Sequence, residues 1–215
     1  MVMRSSRLFA LALGLLLSAG FAARGEYTPE EWAVLKTGKV ISHEVFHAYP
    51  DGTVQTQVEV KAWIKVPRAQ VWKILRDYNH YNEFMPNVRL TKIIKQEGET
   101  YWVIYQTQVL WAKLIYYQVL AGDDKMHRID CSLDKSQPND IRDTKGYWIL
   151  DDAPEGQGTV ATYSDWLDPG FKVPEKLGRK ISKPAFIHVI ENTRLRAESG
   201  GTWVKSQKYE ITSPD

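Results

Sequence analysis

The feature that most constrains this chain is a stretch of about eighty residues in which strand-like segments follow one another without a helix, closed by one long helical stretch. The segments run roughly over 88 to 96, 100 to 110, 113 to 121, 126 to 133, 142 to 151 and 158 to 167. Between them lie Glu97-Gly98-Glu99, Gly122-Asp123-Asp124-Lys125, Ser136-Gln137-Pro138-Asn139-Asp140 and Pro154-Glu155-Gly156-Gln157-Gly158, all turn chemistry. Parallel neighbours need a crossover of a dozen or more residues, and no gap here supplies one, so the strands pair antiparallel in sequence order. After Asp168-Pro169-Gly170 a final helix is expected from about Pro174 to Glu198, perturbed at Pro184 and stopped by Ser199-Gly200-Gly201. A bent sheet with one helix laid over its concave side is an α+β arrangement. The two surfaces curve differently, so side chains alone can fill the gap between them.

Upstream, the period changes twice. Thr28-Pro29-Glu30-Glu31 has capping-box form and predicts a short helix to about Lys36, ended by Gly38. Residues 39 to 47 and 53 to 66 then read as a hairpin about the Pro50-Asp51-Gly52 turn. In its second arm Val58, Val60, Ala62 and Ile64 alternate with Gln57, Glu59 and Lys61. From Pro67 the spacing becomes helical, with Val71, Ile74, Leu75 and Tyr78 on one face, and residues 77 to 86 read as a shorter, aromatic-rich second helix or turn. Residues 200 to 215 form a tail, or a short edge strand from Trp203 to Ile211.

The first residues read as an address. Arg4 and Arg7 precede the apolar run from Leu8 to Leu17, too short for a membrane span, and small residues follow. A signal peptide over 1 to 22 is expected, with cleavage as late as 25, leaving a domain over 26 to 199 in an exported protein, periplasmic or secreted; an uncleaved anchor is the alternative. Its loss reduces 28 basic residues to 26 against 26 acidic ones. A neutral mature chain has no electrostatic footprint for nucleic acid, so none is expected as a partner. The single Cys131 makes no internal disulfide and sits in an apolar strand pattern, as a buried small hydrophobe would. Eight Trp and eleven Tyr are the unusual entries of the composition: flat, amphipathic side chains that suit cores and apolar ligand pockets alike.

These residues carry a resemblance. Val66-Pro67-Arg68-Ala69-Gln70-Val71-Trp72-Lys73-Ile74-Leu75-Arg76-Asp77-Tyr78, continuing through Tyr81-Asn82-Glu83-Phe84-Met85-Pro86-Asn87-Val88, is similar to the helix-pair signature of the START/SRPBCC helix-grip superfamily. Tyr163 to Pro174 resembles its approach to the closing helix, and Trp32 to Val58 its first helix and strands. The resemblance implies a START-like, polyketide cyclase/dehydrase-like helix-grip fold around a cavity for a lipid, sterol, quinone or polyketide-like molecule. Members bind or transport such ligands, and some catalyse cyclisation or dehydration. The fold does not choose between these. Where the family often has a second proline after a strand tryptophan and then an Arg-Asp pair, this chain has Trp111-Ala112-Lys113 and Tyr116-Tyr117, so no polar ligand handle is carried over.

One parity of each strand and the inner face of the closing helix give the expected cavity lining: Trp102, Ile104, Gln106, Leu114, Tyr116, Gln118, His127, Ile129, Trp148 and Tyr163, with Ile181, Ala185 and His188. Plain core packing is the alternative for each, and strands 100 to 121 are apolar on both parities. Burying about ten methylenes at ~0.8 kcal/mol each reaches roughly micromolar affinity before ordering costs, so binding a hydrophobic small molecule is a sufficient function. A cyclase or dehydratase acting in the same cavity is the alternative; its acid or base candidates are His127, His188, Tyr116 and Tyr163. A ligand-free interaction module with a solid interior is a third reading. Asp165 and Asp168 read as turn and capping carboxylates. Lys172, Lys176, Arg179, Lys180 and Lys183 offer either transient membrane contact or a solvated helix face. His43-Glu44-Val45-Phe46-His47 fits a zinc-protease pattern, yet on a strand its imidazoles stand ~13 Å apart, so neither a metal nor another cofactor is expected.

Overall fold

A computed structural model describes residues 27–48, 54–109, 111–171 and 175–206. The elements in chain order are α1 (Pro29–Leu35), β1 (Ile41–Ala48), β2 (Val54–Ile64), α2 (Arg68–Arg76), a 3-10 turn (Tyr78–His80), α3 (Tyr81–Phe84), β3 (Val88–Glu97), β4 (Thr100–Val109), β5 (Ala112–Asp123), β6 (Arg128–Leu133), β7 (Asp143–Asp152), β8 (Thr159–Asp168) and α4 (Glu175–Glu198). The capping box of α1 forms in full: Thr28 Oγ1 accepts from the Glu31 amide and Glu31 Oε2 from the Thr28 amide. The expected signal peptide lies outside the described residues. So do the hairpin turn at residues 49 to 53, and the side chains of Ile181, Lys172, Lys176, Arg179 and Lys180.

All eight strands form one antiparallel sheet in the order β1-β2-β8-β7-β6-β5-β4-β3. Strands β3 to β8 pair in sequence order. The first hairpin joins the far side, Val60 opposite Tyr163 and Ala62 opposite Ala161. On β2 the expected alternation appears as fully buried Val58, Val60, Ala62 and Ile64 facing α4, which packs chiefly on β2 and also touches α2 and β8. The opposite face of the sheet carries a smaller core, where Leu35 of α1, Ala153 and Val160 meet Trp32 and Trp63, whose rings stand 5.6 Å apart edge to face.

Helix α4 is continuous through Pro184. Its C-terminal half is held to α3 by a buried amide, Asn192 Nδ2 donating to the Phe84 carbonyl at 2.8 Å, and by the Arg196–Glu83 ion pair. Replacing Asn192 by Ala leaves that carbonyl without its donor, and a loss of about 2 kcal/mol is expected in a urea melt. Beyond α4 the chain through residue 206 is irregular rather than a strand, with Lys205 Nζ donating to the Met85 and Val88 carbonyls at 2.7 Å each. Residues 207 to 215 lie outside the described residues.

One local expectation changes. Strand β6 starts at Arg128, not 126, because Asp123 Oδ1 accepts from the amides of Lys125 and Met126 at 2.9 Å and sets a turn through His127. The His43 to His47 pattern lies on strand β1, where Nε2 of His43 sits 3.2 Å from Glu31 Oε1 of α1 and Glu44 faces Lys183 at 3.8 Å. The backbone here is extended, as expected, and not the helix that a zinc pair at this spacing needs.

Candidate functional site: a cavity beneath the closing helix

The strand registers decide which side chains face α4. Tyr105 pairs with Tyr116 and Thr107 with Leu114, so these share a face. Across the sheet the same face continues through Leu120, paired with Cys131, then Ile129, paired with Trp148, then Trp148, paired with Tyr163. Between this surface, the α2–α3 region and α4 the interior is not packed solid. A cavity of about 200 Å³ remains, lined by Tyr78, Tyr81, Met85, Pro86, Asn87 and Val88, by Tyr105, Thr107, Tyr116, Gln118, Leu120, Ile129 and Cys131, and by Trp148, Tyr163, Asp165, Leu167, Ala185, Phe186 and Val189.

Aromatic rings form two walls. On one side Tyr105 stacks on Tyr116, centroids 5.4 Å apart and planes 5° from parallel, with Tyr81 at 6.5 Å from Tyr105. On the other, Trp148, Tyr163 and Phe186 form a stack with successive centroids 4.4 and 5.6 Å apart. Burial pushes the phenols of Tyr105, Tyr116 and Tyr163 and the Cys131 thiol upward, so these groups are neutral at physiological pH.

Asp165 is the one carboxylate among these lining residues. It alternates with Tyr163 and Leu167 along β8 and therefore faces inward. It is partly buried among the cavity-lining residues, and burial pushes its pKa up to about 7, against the opposing pull of three hydrogen bonds. The Trp166 amide donates to Oδ1 at 2.8 Å and the Tyr163 hydroxyl to Oδ2 at 3.2 Å. Thr144 Oγ1 also lies 3.2 Å from Oδ1, but its single proton is shared with the Trp166 carbonyl at 2.8 Å. Among the described residues no cationic side chain pairs with Asp165. Opposite it on β7 is Gly146; a Cβ there would stand 2.8 Å from Asp165 Oδ1 and closer still to the Ser164 carbonyl oxygen, so the missing side chain makes the space the carboxyl occupies.

Of the residues expected to line the cavity, Tyr116, Gln118, Ile129, Trp148, Tyr163 and Ala185 do so. Leu114 is buried on the same face but is not part of the lining. Trp102, Ile104 and Gln106 lie on the opposite face of β4, paired with Val119, Tyr117 and Ile115, and Trp102 carries Lys95 Nζ 4.3 Å from its ring centroid. His127 sits in the β5–β6 turn at φ +49° with its ring against Trp72, and His188 faces outward toward Glu191 at 3.7 Å, so neither histidine reaches the cavity. Asp168 does act in a turn, accepting from the Gly170 amide and pairing with Arg142. Asp165 does not. Its place on the inner face was available from its alternation with Tyr163 and Leu167.

A family model described as polyketide cyclase / dehydrase and lipid transport matches residues 64–194, from the end of β2 through most of α4. The chain belongs to this family. The helix-grip architecture of the START/SRPBCC superfamily is shared with solved structures. A STAR-related lipid transfer protein from Xanthomonas axonopodis is 17% identical, with a TM-score of 0.55 over 72% of this chain and 98% of that one. The Zhui aromatase/cyclase from Streptomyces sp. R1128 is 13% identical, with a TM-score of 0.56 over 74% and 94%. Human STARD10 is 12% identical, with a TM-score of 0.56 over 80% of each chain. At these identities the likeness is one of fold. Comparison with curated proteins gave no match. Within this polyketide cyclase and lipid transport family, the matched segment spans both aromatic walls and the inner face of α4.

Proposed function

We propose that this protein binds and carries a compact hydrophobic molecule in the cavity between its sheet and α4. The observation that carries this reading is the cavity of about 200 Å³ with its two ring walls. Drug-sized ligands occupy ~300–1,000 Å³, so a one- or two-ring body or a single short chain suits the space better than a two-chain lipid. The test is a titration with naphthalene, followed by its own fluorescence, in the unmodified protein and in Ala185→Phe, which fills the cavity from α4. Binding that weakens at least about tenfold in the variant is expected. No binding to the unmodified protein, or equal binding to both, overturns the reading.

Acid–base catalysis on such a molecule is a second reading, supported by a buried carboxyl whose pKa of about 7 lies near the working range of a general base. Turnover of a cyclisable polyketide-like substrate, lost in Asp165→Asn, would establish it. We further propose that residues 1 to 22 direct export, on the strength of Arg4, Arg7 and the apolar run that follows. Expression in a bacterial host should yield an exported form that begins at Ala23, or at Glu26 if cleavage is late; a cytoplasmic chain retaining Met1 would contradict this.

A further inference from the structure

We propose that Asp165 anchors the cavity's ligand by a hydrogen-bond-donating head, a hydroxyl or an amine, while an apolar ring body lies against the Tyr105–Tyr116 and Trp148–Tyr163 walls. The inference rests on the binding reading above and assigns the chemical class of the ligand.

The carboxyl is under-supplied with donors. Its two oxygens can accept about four hydrogen bonds, and the protein gives one short bond, one of 3.2 Å and a share of the Thr144 proton. A buried carboxylate with spare acceptor capacity and no cation gains most from a donor brought by a ligand. The groups facing it leave that vacancy open: Tyr116 from β5, Cys131 from β6 and Tyr163 from its own strand are neutral, and the described lining of α4 near it is apolar, Ala185, Phe186 and Val189. Gly146 leaves room for the carboxyl to lie among the cavity-lining groups. One buried polar atom of the lining lacks a partner altogether. Tyr78, fully buried and lining the same cavity, has a hydroxyl with no hydrogen bond among the described residues. A ligand carboxylate, in contrast, would place like charge beside Asp165 where little water screens it.

Four probes share one body: naphthalene, 2-naphthol, 2-(aminomethyl)naphthalene and 2-naphthoate, titrated at pH 8 into the full protein. Expected is binding of the naphthol and the amine at least about tenfold tighter than the naphthoate, with the gap shrinking below about threefold in Asp165→Asn. Should the variant fail to fold, 2-naphthol binding at least about threefold tighter than naphthalene in the unmodified protein supports the anchor, and naphthol binding no tighter than naphthalene overturns it. Naphthoate binding as tightly as naphthol while naphthalene binds would overturn the anchor and leave the cavity reading intact, as would a tenfold gap that persists in Asp165→Asn. Failure of naphthalene itself to bind removes the cavity reading and the anchor with it.

Discussion

Asp165→Asn is expected to make the protein more stable at pH 8, by about 2–3 kcal/mol, and to bring no gain at pH 4.5. Burial raises the Asp165 pKa from its ordinary 3.8 to about 7, so the folded state holds this proton more tightly than the unfolded chain does. Between those two values the folded protein binds more protons, and its stability therefore falls as pH rises; above about 7 the loss is complete. A separation of about three pH units corresponds to a penalty on the order of 4 kcal/mol. The amide removes the charge but brings two N–H donors that need acceptors, at about 1–2 kcal/mol, which leaves the smaller net gain. Tyr116, Tyr163 and Cys131, the titratable groups facing Asp165, have pKa values raised by burial and do not change charge over this range. Urea melts of both proteins at the two pH values check this. A difference that is the same at both, or a variant less stable at pH 8, would show that the carboxyl is not held in an unfavourable ionised state. A residue whose removal stabilises the fold is expected where binding, not folding, makes use of it.

Gly146→Ala should be the more damaging change, costing about 3 kcal/mol, the upper part of the range for overpacking. The added Cβ would press on the Ser164 carbonyl oxygen and on the Asp165 Cα at 2.9 Å, both backbone atoms of the paired strand. Neither can rotate away as a side-chain tip would. Strands β7 and β8 must separate locally, which moves Asp165 and the Trp148–Tyr163 stack together. The expected result is a lower melting temperature and, at temperatures where the variant remains folded, the loss of discrimination between 2-naphthol and 2-naphthoate. A variant with unchanged stability and unchanged ligand ranking would contradict the placement of Gly146 against the carboxyl.

The order of elements was legible because period changes are local: Thr28-Pro29-Glu30-Glu31 caps α1 and the switch at Pro67 starts α2 just after it. The pairing of β2 with β8 was not, since it depends on the curvature of the whole sheet. Parity on β4 failed for a specific reason. Val109 pairs with Ala112, a register that puts even-numbered residues of β4 on the same face as odd-numbered residues of β5. Trp102, Ile104 and Gln106 cannot then share a side with Leu114, Tyr116 and Gln118, and apolarity on both faces concealed the conflict. His127 was misplaced because the Asp123 side chain closes the turn later than the apolar pattern suggests. Residue type alone suggests a turn carboxylate at Asp165, whereas its shared parity with Tyr163 and Leu167 points inward.

The central claim, that an apolar ring is held between the sheet and α4, is tested most directly by intermolecular nuclear Overhauser effects between naphthalene protons and protein methyl groups. Contacts to Leu120, Ile129, Ala185 and Val189, which line the cavity from β5, β6 and α4, are the expected result. Contacts confined to exposed methyls such as Leu90 and Ile94 on the edge strand β3 would place the ligand outside and contradict it.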